Sequence, residues 1–290
     1  MATATSIYKS PEMEAQLMGI YDDRLGQWPV PYESIFLDTT YGKVHTIVSG
    51  PEDGPPVMLL HASGLSAWSW LYNVEPLNKR YRTYAIDTIG DAGKSALRDL
   101  DSFPRDGQAL SDFYVAIADD LGIDSAYVVG ASQGGFIGTN YALHAPERVK
   151  KLALLGPMGY AGTNRTVVRI VLATILPFRS VQDSTFRWAF GDDSGMREAC
   201  EKWFRLVMSG VIPKQARPKT FSAEQLQTLE CPVLLVLGQR DGLVGDPKNA
   251  KELAQNIPDC HTVILDTGHA IGVEKPEETN RLLTDFFTEG

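Results

Sequence analysis

Ser132 stands between two glycines in Gly130-Ala131-Ser132-Gln133-Gly134, and a serine so placed is a candidate nucleophile. The apolar run Tyr127-Val128-Val129 precedes it, and Phe136, Ile137, Tyr141 and Ala142 follow at the spacing of one helix face. The stretch therefore predicts a strand, a sharp turn and a helix. Such a turn strains the serine backbone and carries its hydroxyl clear of the sheet, while Gly130 and Gly134 let helix and strand pass closely. The other reading is a glycine-rich turn whose serine caps the helix.

A hydroxyl is a poor nucleophile near neutral pH, so it needs an imidazole to take its proton and a carboxylate to orient that imidazole. Of the five histidines, His45 lies within an apolar strand pattern, His144 ends the helix after Ser132, and His261 starts a strand; all three read as structural. His61 follows another strand and reads as a residue that shapes its loop by bonding to backbone. His269, in Asp266-Thr267-Gly268-His269-Ala270 just past the last strand, is the expected base. Two acids follow the strand that ends at Leu237. Asp246 precedes Pro247 and opens a helix, which makes it a natural N-cap, so Asp241 is the expected orienting carboxylate. The backbone amides of Gln133 and of Ser63, in His61-Ala62-Ser63-Gly64, are the expected oxyanion donors. Gly93-Lys94-Ser95 resembles the end of a phosphate-binding loop. Thr88 stands where its first glycine belongs, and Asp87 and Asp91 would repel phosphate, so nucleotide binding is not expected.

These residues need a scaffold that brings strand ends together. Strand patterns fall at 33–38 and 43–48, joined by a hairpin turn, and then at 57–60, 82–86, 126–129, 152–155, 233–237 and 262–265 as continuous apolar runs. Helical patterns at 67–77, 110–121, after 132, at 247–257 and at 282–287 alternate with them. The expectation is an α/β fold with a mostly parallel eight-stranded sheet and flanking helices, in which reactive groups gather beyond the carboxyl ends of the strands. Residues 1–31 read as an N-terminal helical extension and 32–157 with 230–290 as the core. Residues 158–229 read as an inserted helical cap, with helices at 167–176, 185–190 and 196–208. The apolar run at 167–176 is too short to cross a bilayer and carries Arg169.

With 290 residues, 43% hydrophobic and 22% charged, the chain can bury a large core as one domain with an insertion. A net charge of -9 argues against nucleic acid or an anionic membrane surface as partner. Cys200, Cys231 and Cys260 are odd in number and widely spaced, which suggests neither a disulfide framework nor a thiolate metal site. Residues 1–16 hold no apolar stretch behind a basic start, so a cytoplasmic protein is expected. No metal site is expected, and a homodimer is possible.

The chain resembles the α/β-hydrolases of the small bacterial carboxylesterase type. The likeness rests on Trp28-Pro29-Val30, Ser49-Gly50-Pro51-Glu52-Asp53, Tyr81-Arg82-Thr83-Tyr84-Ala85-Ile86-Asp87, Ile89-Gly90-Asp91, Pro146-Glu147-Arg148-Val149-Lys150 and Gly268-His269. That resemblance implies cofactor-free hydrolysis of carboxylic esters, with Ser132, Asp241 and His269 in the family's chain order of nucleophile, acid and base. The sequence departs from the family's usual His-Gly pair at Ala62, where a positive φ would strain the backbone. The stretch 61–70 also resembles plant methylesterases and hydroxynitrile lyases; those lyases place a lysine immediately after the catalytic histidine, and here that position is Ala270. A carbon–carbon bond hydrolase or lyase, a cofactor-free peroxidase and a non-catalytic ligand receptor are the alternatives on this scaffold. Phe178, Phe186, Trp188, Phe190, Trp203 and Phe204 are expected to pack the cap onto the core, and could line a pocket for a small apolar ester.

Overall fold

A computed structural model describes residues 6–161, 184 and 194–289. Its sheet begins with the antiparallel pair β1 (Tyr32–Asp38) and β2 (Gly42–Ser49), and β2 runs antiparallel to β4 (Arg82–Ile86). From there every neighbour is parallel, through β3 (Pro56–Leu60), β6 (Ala126–Ala131), β7 (Val149–Leu155), β8 (Val233–Gly238) and β9 (Cys260–Leu265). The order is β1-β2-β4-β3-β6-β7-β8-β9. All eight expected strands are present. A further strand, β5 (Ala96–Leu97), pairs with β2 off this path; two residues are too few for any periodicity to reveal. Every residue of β8 is buried, and so are the last four of β3 and of β7, as continuous apolar runs covered on both faces require.

The helices named among the described residues are α1 (Pro11–Leu25), α2 (Val74–Leu77), α3 (Gly107–Asp120), α4 (Gln133–His144), α5 (Ser194–Gly210), α6 (Ala223–Leu226), α7 (Pro247–Ala254), α8 (Ile271–Glu274) and α9 (Pro276–Thr288). One expected helix is broken. The periodic stretch 67–77 folds as a 3-10 turn, Ala67–Tyr72, followed by the single turn α2, with Asn73 at φ −119° between them. The Asn73 side chain is bonded to Gly272 and Asn280, some 200 residues away, so tertiary bonds override the local periodicity here.

The N-terminal segment is fastened to the end of α5. Lys9 N donates to Gly210 O and Ile212 N to Ile7 O, both at 2.8 Å. α1 starts with Ser10 as N-cap and Pro11 in its first turn, and buries Leu17, Tyr21 and Leu25 on one face. Tyr21 meets Trp203 of α5 with ring centroids 6.4 Å apart. Between β7 and β8 the described residues form α5, α6 and loops, with no named strand. The helices expected at 167–176 and 185–190, and the aromatic residues Phe178, Phe186, Trp188 and Phe190, lie outside the described residues.

Candidate active site

β6 delivers Ser132 to the start of α4 through a turn so tight that Ser132 adopts φ 52° and ψ −112°. Among the described residues it is the only non-glycine at positive φ. A side chain held there costs on the order of 1–3 kcal/mol, and such strain persists only where the surroundings over-determine it. They do: Ser132 N donates to Leu155 O at 3.0 Å, and Ser132 O accepts from Gly135, Phe136 and Met158. The flanking glycines are sterically required. A Cβ on Gly134 would stand 2.0 Å from Leu60 O, and one on Gly130 would stand 2.4 Å from Gly134 O.

The loops after β8 and β9 bring Asp241 and His269 together. His269 Nδ1 lies 2.7 Å from Asp241 Oδ2, with both side chains buried. The other oxygen of Asp241 accepts from the amides of Leu243 and Val244, at 2.8 and 3.3 Å, so the carboxylate is oriented before it meets the imidazole. Asp246 is engaged elsewhere, as the N-cap of α7 that accepts from Lys248 N at 2.9 Å. A carboxylate that the sequence did not reveal, Glu274, grips the histidine loop. Its Oε2 accepts from Gly268 N at 2.7 Å and its Oε1 from Ala270 N at 3.2 Å, the two amides on either side of His269. The signal that could have disclosed it is an acid one turn past the histidine, at the end of α8.

The loop that carries Ser63 is pinned at consecutive peptides. His61 Nδ1 donates to Ala62 O at 2.9 Å while its Nε2 accepts from Thr88 N, which makes His61 the loop-shaping residue its position suggests. Leu65 N also donates to Ala62 O, and because a trans peptide sets C=O and N–H antiparallel, the Ser63 N–H is turned the opposite way. One residue on, Gly64 N donates to Asp91 Oδ2 at 2.8 Å and Gly64 O accepts from Trp203 Nε1 at 2.8 Å. The positive φ in this loop, +74°, falls on Gly64 and not on Ala62, so the condition under which Ala62 would be strained is not met. Among the described residues no acceptor meets the backbone N–H of Ser63 or of Gln133.

Electrostatics behind the loop are set by buried carboxyls. Burial raises Asp91 above the ordinary carboxylate range, against the opposing pull of His61 and of the Gly64 and Ala92 amides. Burial acts the same way on Asp87, but the hydrogen bond and charge of His45, 2.9 Å away, then His61 and the Ala67 amide, bring it below that range. Asp87 also accepts from Lys94 N, and β4 leads to β5 and not to a helix, so Gly93-Lys94-Ser95 is a turn built around a carboxylate. A cavity of about 50 Å³ opens against Ser132 and His269, with Leu65, Trp70, Leu155 and Ile271 among its walls.

A strained serine at a strand–helix elbow, a buried Asp–His pair on the last two strand ends and this sheet order coincide in few folds. The family model for the alpha/beta hydrolase fold matches residues 55–177. An uncharacterized carboxylesterase, nap, of Bacillus subtilis is 30% identical over 280 residues, covering 92% of this chain and 90% of its own. The chain belongs to the α/β-hydrolase family. Carboxylesterase YbfK of the same organism is 27% identical over 93% of each chain. Among solved structures, naproxen esterase (carboxylesterase NP) from Bacillus subtilis superposes with a TM-score of 0.89 at 28% identity, over 97% of this chain and 100% of that one. The small bacterial carboxylesterases are thus relatives of this α/β-hydrolase along nearly its whole length. No helix among its described residues is long and apolar enough to cross a membrane.

Proposed function

We propose that the protein is a serine hydrolase that cleaves carboxylic esters through an acyl-enzyme intermediate. The observation that carries the reading is the 2.7 Å contact between His269 Nδ1 and Asp241 Oδ2 beside a cavity lined by Ser132 and His269. Ser132 Oγ attacks the ester carbonyl as His269 Nε2 takes its proton, and Asp241 stabilises the imidazolium. The amides of Gln133 and Ser63 hold the oxyanion, the protonated imidazole releases the alcohol, and water repeats the sequence on the acyl-enzyme to free the acid and Ser132. The largely apolar cavity supports a small, neutral ester as substrate. The role requires neither cofactor nor metal, and the acidic charge supports neither nucleic acid nor an anionic membrane as partner. We place the protein in the cytoplasm, as a monomer or a homodimer.

The lyase reading is less well supported. Expulsion of cyanide needs a fixed cation beside the leaving group. Ala270 lines the cavity after His269, and Lys275 Nζ is bonded to Glu278 at 3.0 Å. Neither a peroxidase nor a receptor reading has a specific observation in its favour.

The test is turnover of p-nitrophenyl esters of rising acyl length by wild type and Ser132→Ala, with fluorophosphonate labelling of both. Turnover and labelling are expected in wild type, and both are lost in the variant. Labelling at Ser63 or Ser95, or rapid cyanide release from mandelonitrile without ester turnover, would overturn the assignment.

A further inference from the structure

Asn73 is one of the few polar side chains on the walls of this largely apolar cavity, with Ser69, Trp70, Ser132 and His269. Asn280 Nδ2 donates to Tyr72 O at 2.9 Å, which turns its Oδ1 toward Asn73 Nδ2 at 2.8 Å. The same Asn73 Nδ2 donates to Gly272 O at 3.1 Å. Reversing the Asn73 amide would set its oxygen against two acceptors, so its orientation is fixed by the chain of bonds. Asn73 is 1% exposed, it lines the cavity with Ser132 and His269, and no described residue donates to its Oδ1. That oxygen lies on the side where Gly272 presents no side chain: a Cβ there would stand 3.1 Å from it.

We infer that Asn73 Oδ1 is a specificity-determining acceptor that selects esters bearing a neutral hydrogen-bond donor, a hydroxyl or an N–H, near the scissile bond. The inference rests on the esterase reading above. A buried acceptor with no donor prefers a substrate that supplies one, and a methyl in that place leaves it unpaired. Among the described residues the cavity is lined by no acidic or basic side chain except His269, so a charged group meets no counter-ion on these walls. Gly272 is part of the device, because a side chain at that position would press on the Asn73 amide.

The experiment compares kcat/KM for matched pairs: ethyl butanoates carrying a hydroxyl at successive acyl carbons, and hydroxyethyl butanoate for the alcohol side, each against the analogue with methyl in place of hydroxyl. Wild type is expected to prefer the hydroxyl member of at least one pair by about three- to tenfold, the worth of one net hydrogen bond. Asn73→Leu should abolish or invert that preference. Asn280→Leu breaks the same Asn73–Asn280 bond but leaves the Asn73 oxygen, so it should keep the preference even if both variants lose stability. Wild type favouring the methyl member of every pair, or a preference that survives Asn73→Leu, would overturn the inference while leaving the esterase reading intact. Absence of turnover on every ester would overturn both.

Discussion

Replacing Asp241 by asparagine should disable the enzyme through the protonation of His269, with little change in the fold. In the native site one oxygen of Asp241 accepts from Leu243 and Val244 amides and the other faces His269 Nδ1 at 2.7 Å. The asparagine oxygen must stay with the two amides, since they are donors, and its NH2 group then faces Nδ1. Nδ1 can only accept from that group, so the imidazole proton moves to Nε2. A base protonated at Nε2 cannot take the proton of Ser132. The loss of both the correct tautomer and the stabilising charge corresponds to a fall in kcat on the order of 10³ to 10⁴. Steady-state hydrolysis of p-nitrophenyl acetate near neutral pH reads it directly, with the urea midpoint as a check on the fold. Asp246→Asn is the control: asparagine caps helices about as well as aspartate, so α7 and turnover should be nearly unchanged. If Asp241→Asn kept more than about a tenth of wild-type kcat, or if Asp246→Asn were the crippled variant, the assignment of the acid would be wrong.

Glu274→Gln keeps one acceptor oxygen for two amides, so the loop around His269 loosens; kcat should fall by about tenfold with KM within about twofold, the size of one charge-assisted hydrogen bond. A lower unfolding midpoint with unchanged kcat would show that the contact is only structural. Asp87→Ala should cost about 3–5 kcal/mol in urea unfolding at pH 7, because it strips the partner from buried His45. Asp87 has its folded-state pKa below the unfolded value, so its contribution is complete above the ordinary carboxylate pKa of about 3.9 and is lost as pH falls through the folded value. The gap between wild type and variant should therefore shrink below about pH 4, and a gap that grew on acidification would contradict the pairing. Burial pushes the Cys231 thiol up to about 11, so a thiol reagent at pH 8 should leave it unmodified until denaturant is added. Modification of native Cys231 within minutes would refute that.

What the sequence disclosed and what it withheld divide along a physical line. Ser132, Asp241 and His269 can be proposed from the sequence because each follows an apolar strand and has a side chain whose chemistry the packing does not use, and the fold brings Asp241 and His269 to 2.7 Å. Asp246 could be set aside for the converse reason, since the proline after it explains it. Contacts that depend on which remote loops meet were not legible. The periodicity of 67–77 predicts one helix, and nothing local says that Asn73 will leave it for Gly272 and Asn280. Glu274 reads as one more acid before a helix until the loop folds back and its oxygens find the amides beside His269. Ala62 would be strained only if the loop required a positive φ there. The turn instead places its left-handed residue two positions later, at Gly64, which a motif written as a residue pair cannot express.

The loop proposed to hold the oxyanion is also where the separate parts of the chain converge. Gly64 O is held by Trp203 of α5, and Trp203 packs edge-on against Trp68 at 5.5 Å just after the loop. α5 is held at its far end by backbone bonds from Lys9 and to Ile7, and on its side by Tyr21 of α1. Tyr21 OH in turn lies 3.1 Å from His45 Nδ1, and His45 pairs with Asp87, which accepts from Ala67 N three residues beyond Gly64. A circuit of contacts thus runs from α1 through α5 and the sheet to both ends of one short loop. An amide donor stabilises an oxyanion only if it needs no reorientation as charge develops, so rigidity in this loop is worth more than rigidity elsewhere. That requirement gives a physical reason for α1 and α5 to be packed together and not left as independent decorations of the sheet.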